Sequence, residues 1–130
     1  MKTLLANVTS KDVRMDPFPH IVVENAVGPS LADQLLSEYP PMEILTRGRD
    51  LGSNERFNFD SEEVKKNSQV SDTWKSFIEA HASRTFFEQF VLVFRDVLME
   101  IHPHLRAWWE NPRDIGERRG WIPWKQKMYS

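Results

Sequence analysis

The chain has 130 residues, a formal net charge of −2 and no cysteine. This length suits one domain with its own hydrophobic core, and the lack of cysteine excludes disulfides, thiolate metal sites and a cysteine nucleophile. Because the charge is close to neutral, nucleic-acid binding has no support from the chain as a whole and would need a local basic patch.

Residues 1–15 show no strong periodicity, and we expect them to form a loose arm or an edge strand. Their only apolar run is brief and is followed at once by polar residues, so the segment lacks the apolar region of a signal peptide. No apolar run elsewhere approaches the ~20 residues that a membrane-spanning helix needs. We therefore expect a cytoplasmic protein that is not inserted in a membrane.

Residues 16–40 predict a strand followed by a helix. The segment begins DPFPHIVVENAV, in which the prolines favour an extended backbone and the contiguous β-branched residues 21–23 favour a strand covered on both faces. After a turn at residues 28–30, the sequence LADQLLSEY predicts a helix that ends at Pro40. The leucines expected to face inward are Leu31, Leu35 and Leu36.

Residues 42–59 predict an irregular loop, because glycine, serine and asparagine cluster in its second half. The alternation of polar and apolar side chains over residues 56–59 is compatible with a second short strand that closes the loop. Asp60 or Ser61 is then expected to cap a short polar helical turn, SEEVKKN.

Two apolar helices follow directly on one another. Ser71 is expected to cap the first, DTWKSFIEAHA, and Ser83 the second, TFFEQFVLVFRDVLMEI at residues 85–101. Apolar side chains cover so much of the second helix that we predict a buried central helix packed against its neighbour. His81, at the inner border of the first helix, is interpreted as a hydrogen-bonded packing residue.

Together these elements predict a helix-rich α+β fold with one or two short strands. We expect a single domain over residues 16–110, preceded by the loose arm and followed by a basic aromatic tail over residues 111–130. The tail mixes lysine and arginine with tryptophan and tyrosine, a combination that can stack bases and neutralise phosphates. Acidic residues dilute its charge, so nucleic-acid binding is disfavoured and docking of the aromatic side chains on protein is preferred.

His102 and His104 are candidate metal ligands, since a His-x-His pair can place two imidazoles on one ion. Such a site needs a third ligand, and no nearby carboxylate has the usual spacing. A helix C-terminal cap and a surface residue are therefore the preferred interpretation of the pair.

Arg47, Arg49 and Arg56 lie in the glycine-containing loop and are candidates for binding an anion such as a carboxylate or phosphate. The alternative is that they are solvated loop residues. The sequence contains no phosphate-binding loop, nucleophile elbow or calcium-binding loop that would favour a more specific chemistry.

The run DPFPHIVVENAV at residues 16–27, with the helix LADQLLSEYP after it, resembles the N-terminal part of iron(II)- and 2-oxoglutarate-dependent oxygenases of the prolyl-hydroxylase-like branch. In that family a strand and helix of this kind support a catalytic double-stranded β-helix, or jelly roll, that follows later in the chain. The resemblance extends over residues 16–110 and implies that the chain is an incomplete fragment of a jelly-roll oxygenase. For a full-length relative it implies Fe(II) and 2-oxoglutarate as cofactors.

The catalytic pattern of that family is a His-x-Asp or His-x-Glu, a distant second histidine, and an Arg or Lys that binds 2-oxoglutarate. No histidine in this chain has a carboxylate two residues later, and residues 102–130 do not alternate as barrel strands would. No catalytic, metal-binding or cofactor-binding residue is therefore carried over from the family.

Three interpretations remain. The first, which we favour, is the N-terminal, non-catalytic portion of a 2-oxoglutarate-dependent oxygenase that is inactive alone. The second is a stand-alone protein-interaction or self-associating domain, which would use exposed apolar helix surface for a partner or a second copy. The third is an anion or nucleic-acid binder that uses the three loop arginines or the basic aromatic tail.

Overall fold

The structure is a computed structural model that describes residues 1–50 and 52–106. Within these ranges the fold is helix-rich, as the sequence predicts. The helices are α1 (Pro29–Ser37), α2 (Met42–Thr46), α3 (Ser61–Lys66), α4 (Asp72–His81), α5 (Arg84–Val93) and α6 (Arg95–Ile101), with short 3₁₀ turns at Ser10–Asp12 and Pro103–Leu105. The expected tail, at residues 111–130, lies outside the described residues.

The prediction of one or two short strands is wrong for the described residues. Their β pairing consists of one isolated bridge, in which Arg14 and His20 exchange backbone hydrogen bonds of 2.8 and 2.9 Å. Residues 21–23 and 56–59 form no strand, and the side chains of Val22 and Val23 are exposed. β-branched residues favour a strand only where neighbouring strands supply hydrogen-bond partners and packing.

The helix caps follow the sequence closely. The side chain of Asp60 accepts hydrogen bonds from the backbone of Glu62 and Glu63, and Glu63 returns one to the backbone of Asp60, which completes a capping box for α3. The hydroxyl of Ser71 accepts from the backbone N–H of Trp74, and that of Ser83 accepts from Phe86. Of the two residues proposed to cap α3, Asp60 is therefore the one that does.

The chain divides into two compact units. One consists of Met1–Asn7 and Val22–Gln89, and the other of Val8–Ile21 and Phe90–Ser130. Both units therefore contain part of the arm expected at residues 1–15, and the division near the C-terminus falls within α5.

In the unit that contains Val22–Gln89, α4 packs against both α1 and α3. The buried side chains of this unit are Leu5, Leu35, Pro40, Thr46, Val64 and Val70. They come from the N-terminal segment, from three helices and from the turns between them, so burial in this unit is spread over several short elements.

The predicted central helix at residues 85–101 is helical but is not continuous. Phe94, with φ −98° and ψ 12°, separates α5 from α6, although its N–H still donates to Phe90 and its carbonyl still accepts from Leu98. The burial predicted for this segment is not confirmed. Val93 is only 4% exposed, whereas Leu92 is 63% exposed. An apolar sequence favours burial but cannot by itself provide the elements that would cover every face.

Candidate functional site

The contact between α1 and α4 is centred on Trp74. Its indole N–H donates to the backbone carbonyl of Leu35 at 2.8 Å, near the C-terminal end of α1, where carbonyls lack helical partners. The ring meets Tyr39 edge-on at 5.5 Å between centroids and Phe77 at 5.8 Å. The arrangement half-buries the aromatic ring and satisfies its N–H group, which links α1 to α4 at this point.

A polar cluster on the same contact surrounds the carboxylate of Glu38. The side chain of Gln34 donates to Glu38 at 3.0 Å and to the hydroxyl of Thr73 at 2.8 Å. Hydrogen bonds from the side chains of Ser71, Gln34 and Thr73 lower the pKa of the Glu38 carboxyl below its ordinary value. The cluster connects the end of α1 to the first turn of α4 and satisfies its own polar groups, so it has a structural role.

Next to this contact, three large apolar side chains are exposed in close succession. Leu36 is 78% exposed, Tyr39 58% and Met42 66%. We call these three residues the α1–α2 apolar surface, since they run from the last turn of α1 to the first residue of α2. The prediction that Leu36 faces inward is wrong, because Leu35 takes the buried position and the next residue is rotated about 100° around the helix.

In the described residues, the three loop arginines share no common partner that would bring their side chains together. Arg47 forms an ion pair with Glu63, and the guanidinium of Arg49 lies over the ring of Phe57 at 5.8 Å. Arg56 is exposed. Since Arg47 already has an anionic partner within the protein, an added anion would have to compete with Glu63 for it.

His102 and His104 lie close together at the end of α6, with ring centroids 5.6 Å apart and nearly perpendicular planes. His102 is the C-cap residue of α6, in agreement with the preferred interpretation of the pair. Within residues 1–50 and 52–106, no group of three or more His, Cys, Asp or Glu side chains is arranged to hold a metal ion. These described residues therefore do not fit the two-histidine, one-carboxylate iron site of a 2-oxoglutarate-dependent oxygenase.

His81 is a hydrogen-bonded packing residue, as the sequence predicts. Its ring lies 4.3 Å from that of Phe77 and 5.1 Å from that of Phe86. Both ring nitrogens have backbone partners, and one of these partners is Leu4. The contact with the N-terminal segment has no local signal in the sequence, since the two residues are 77 positions apart.

Comparisons with protein-family models, with curated proteins and with solved structures find no match for this chain. Among the helices in the described part of the chain, none combines the length and apolar character needed to cross a membrane.

Sequence reasoning missed both the α1–α2 apolar surface and the polar cluster around Glu38. The spacing of Leu35 and Leu36 gives only a weak signal, because adjacent residues lie about 100° apart on a helix and a wide apolar stripe can include both. Glu38 and Thr73 lie on different helices, and nothing in a single sequence relates them before α1 has been placed on α4.

Proposed function

We propose that this chain is the N-terminal, non-catalytic portion of an iron(II)- and 2-oxoglutarate-dependent hydroxylase, and that it acts as a helical support for the catalytic β-helix. The observation that carries the proposal is the α1–α2 apolar surface. It begins in the last turn of α1, the helix that follows the DPFPHIVVENAV run, and this run is the part of the chain with the most specific resemblance to that family.

The physical basis is the free energy of burying apolar side chains. Covering a large apolar side chain contributes about 1.5–3 kcal/mol relative to leaving it in water. Leu36, Tyr39 and Met42 are mostly exposed, so most of this free energy would be gained only when another surface covers them. The Trp74 contact and the polar cluster hold the backbone beneath them in one position, so the surface is prepared for docking without a costly rearrangement.

In this role the chain contributes packing rather than chemistry. Neither its histidine spacing nor the clusters in its described part provide an iron site. Fe(II) and 2-oxoglutarate would accordingly be bound by the β-helix that the support covers, and a hydroxylase of this design would lose stability, rather than its iron ligands, when the support is damaged.

The test is the length of the natural gene product. The transcript would be sequenced beyond the codon for Ser130, and the intact mass of the protein would be measured from its source. We expect the reading frame to continue into a His-x-Asp or His-x-Glu and a later histidine. A stop codon directly after Ser130, together with a mass near the 15.3 kDa of these residues, would contradict the proposal.

A second candidate function is self-association of a stand-alone domain, with a second copy covering the same apolar surface. Sedimentation velocity over a range of concentrations tests it. Leu36→Glu should shift the protein to monomer, because a carboxylate would be desolvated at the interface. Ser30→Glu is the matched control, since it adds the same charge at an exposed position in the first turn of α1. A wild-type protein that stays monomeric at every concentration contradicts this candidate.

A further inference from the structure

The two ring nitrogens of His81 have different hydrogen-bonding roles. The backbone N–H of Leu4 donates to Nε2 at 2.9 Å, and Nδ1 lies 2.7 Å from the backbone carbonyl oxygen of Phe77. A backbone N–H can only donate and a carbonyl oxygen can only accept. Nε2 must therefore be unprotonated while Nδ1 carries the hydrogen, which fixes one neutral tautomer of the ring.

A protonated imidazole cannot keep both of these bonds. It carries a hydrogen on each nitrogen, so Nε2–H would face the N–H of Leu4 and the acceptor would be lost. The bond of Nδ1–H to Phe77 would survive. Protonation thus acts selectively on the link between α4 and the N-terminal segment.

This link fixes a segment that contributes to the core. Leu5, the residue after Leu4, is only 7% exposed, and the hydroxyl of Thr3 donates to the side chain of Gln89 on α5. Residues 3–5 are thus attached in three ways: by the bond of Leu4 to His81, by the bond of Thr3 to Gln89 and by the buried side chain of Leu5.

We propose that His81 is a pH-sensitive latch for the N-terminal segment: the neutral ring holds Leu4, and protonation releases it and loosens the packing of Leu5. Histidine is the side chain whose charge most often changes between pH 5 and pH 8, so a comparison of these two pH values tests the latch.

The elements joined by this bond also carry charged residues. They are Lys2 on the N-terminal segment, Lys75 and Glu79 on α4, and Arg84 and Glu88 on α5. Glu88 pairs with Arg84 at 2.8 Å. Among the described residues no carboxylate forms an ion pair with His81, so no nearby anion compensates for the lost bond when the ring is charged.

Two measurements on the full chain test the latch. The first is the tautomer of His81 at pH 8 from its ring ¹⁵N chemical shifts, where we expect hydrogen on Nδ1. The second is amide hydrogen exchange of Leu4, corrected for the intrinsic pH dependence of exchange. We expect protection about tenfold lower at pH 5 than at pH 8, the size of effect that loss of one hydrogen bond produces.

Variants isolate the residue responsible. His81→Phe keeps a ring at this position but removes the acceptor, so Leu4 should exchange rapidly at both pH values. His20→Gln is the control, because the His20 ring also bonds a backbone carbonyl, that of Phe18, but has no contact with Leu4. It should leave the Leu4 profile unchanged.

Hydrogen on Nε2 at pH 8 would overturn the proposal, as would pH-independent protection of Leu4 in the wild type. Both results come from the unmodified protein, so the proposal stays testable even if His81→Phe does not fold.

Discussion

Apolar residues are arranged differently in two regions of the molecule: the α1–α4 contact and the α5–α6 segment. The first is modest in hydrophobicity, yet Trp74 packs between Tyr39 and Phe77 and donates a hydrogen bond to Leu35. The second is the most apolar stretch of the chain, yet Val93 is its only buried side chain in the described residues, and Leu92 is largely exposed. Apolar content alone therefore does not locate the core of this protein.

The difference arises from what accompanies the apolar side chains. At the first contact, hydrogen bonds from Gln34 to Glu38 and Thr73 and from the Trp74 indole to Leu35 join the two helices, and Ser71 caps α4. In α5 and α6, apolar residues occupy most positions around the helix, and most of their side chains are only half-buried. Variants that compare the two regions should therefore differ sharply in stability.

The largest effect is expected for Trp74→Ala, which removes the ring and its hydrogen bond. Since the residue is half-buried, we expect a loss of ~3 kcal/mol in the free energy of unfolding, at the low end for a buried aromatic residue. Phe90→Ala is the matched control from the other region and should cost no more than ~1 kcal/mol. Urea denaturation followed by circular dichroism measures both free energies of unfolding. Equal losses would contradict the proposed difference between the two regions.

Within α5, neighbouring apolar residues should respond differently. Val93→Ala creates a small cavity and is expected to cost ~2 kcal/mol, whereas Leu92→Ala at an exposed position should change stability by less than ~0.5 kcal/mol. The same urea denaturation applies. A larger cost for Leu92→Ala than for Val93→Ala would mean that the other face of α5 is the covered one in solution.

The cap at Ser71 should contribute less to the free energy of unfolding than the Trp74 side chain. Ser71→Ala removes the acceptor for the N–H of Trp74 and is expected to cost ~1 kcal/mol. Ser76→Ala, at an exposed interior position of α4, is the control and should be neutral or slightly stabilising, because alanine has the higher helix propensity. The midpoints of thermal unfolding distinguish the two variants. A similar loss of stability in both would contradict the assignment of Ser71 as the cap.

The smallest effect concerns the ionisation of Glu38. Its pKa is lowered in the folded protein, so the ionised carboxylate stabilises the fold above the ordinary glutamate pKa of ~4.3, and this contribution is lost as the pH falls through the folded-state pKa. The urea midpoint of the wild type should therefore fall more between pH 5 and pH 3 than that of Glu38→Gln. Glu79→Gln, an exposed change on α4, should follow the wild type. Parallel profiles for all three proteins would contradict a role for the Glu38 charge.

The sequence predicts the local parts of this fold well. The caps at Asp60, Ser71 and Ser83 and the packing role of His81 follow from side-chain chemistry within a few residues, and the structure confirms them. Features that depend on distant partners were not predictable. Residues 21–23 have strand propensity but no neighbouring strand, and the burial of the 85–101 segment depends on elements that its own periodicity does not specify.

The same limit applies to the candidate sites. The ion pair of Arg47 with Glu63 and the polar cluster of Glu38 with Thr73 each join separate helices, so a single sequence gives no signal for them. The pair His102 and His104 was placed correctly at a helix end because helix termination at proline is a local rule. The assignment to the oxygenase family stays a prediction, which the length of the gene product will test.

The bond between Leu4 and His81 also has a consequence for biosynthesis. The N-terminal segment is synthesised before its partner, which is 77 residues further along the chain. At a translation rate of ~5–20 residues per second, the segment waits about 4–15 seconds before His81 has been synthesised. Through that interval the backbone N–H of Leu4 lacks the acceptor that His81 later provides, so this contact between the N-terminal segment and α4 forms late although the segment itself is made early.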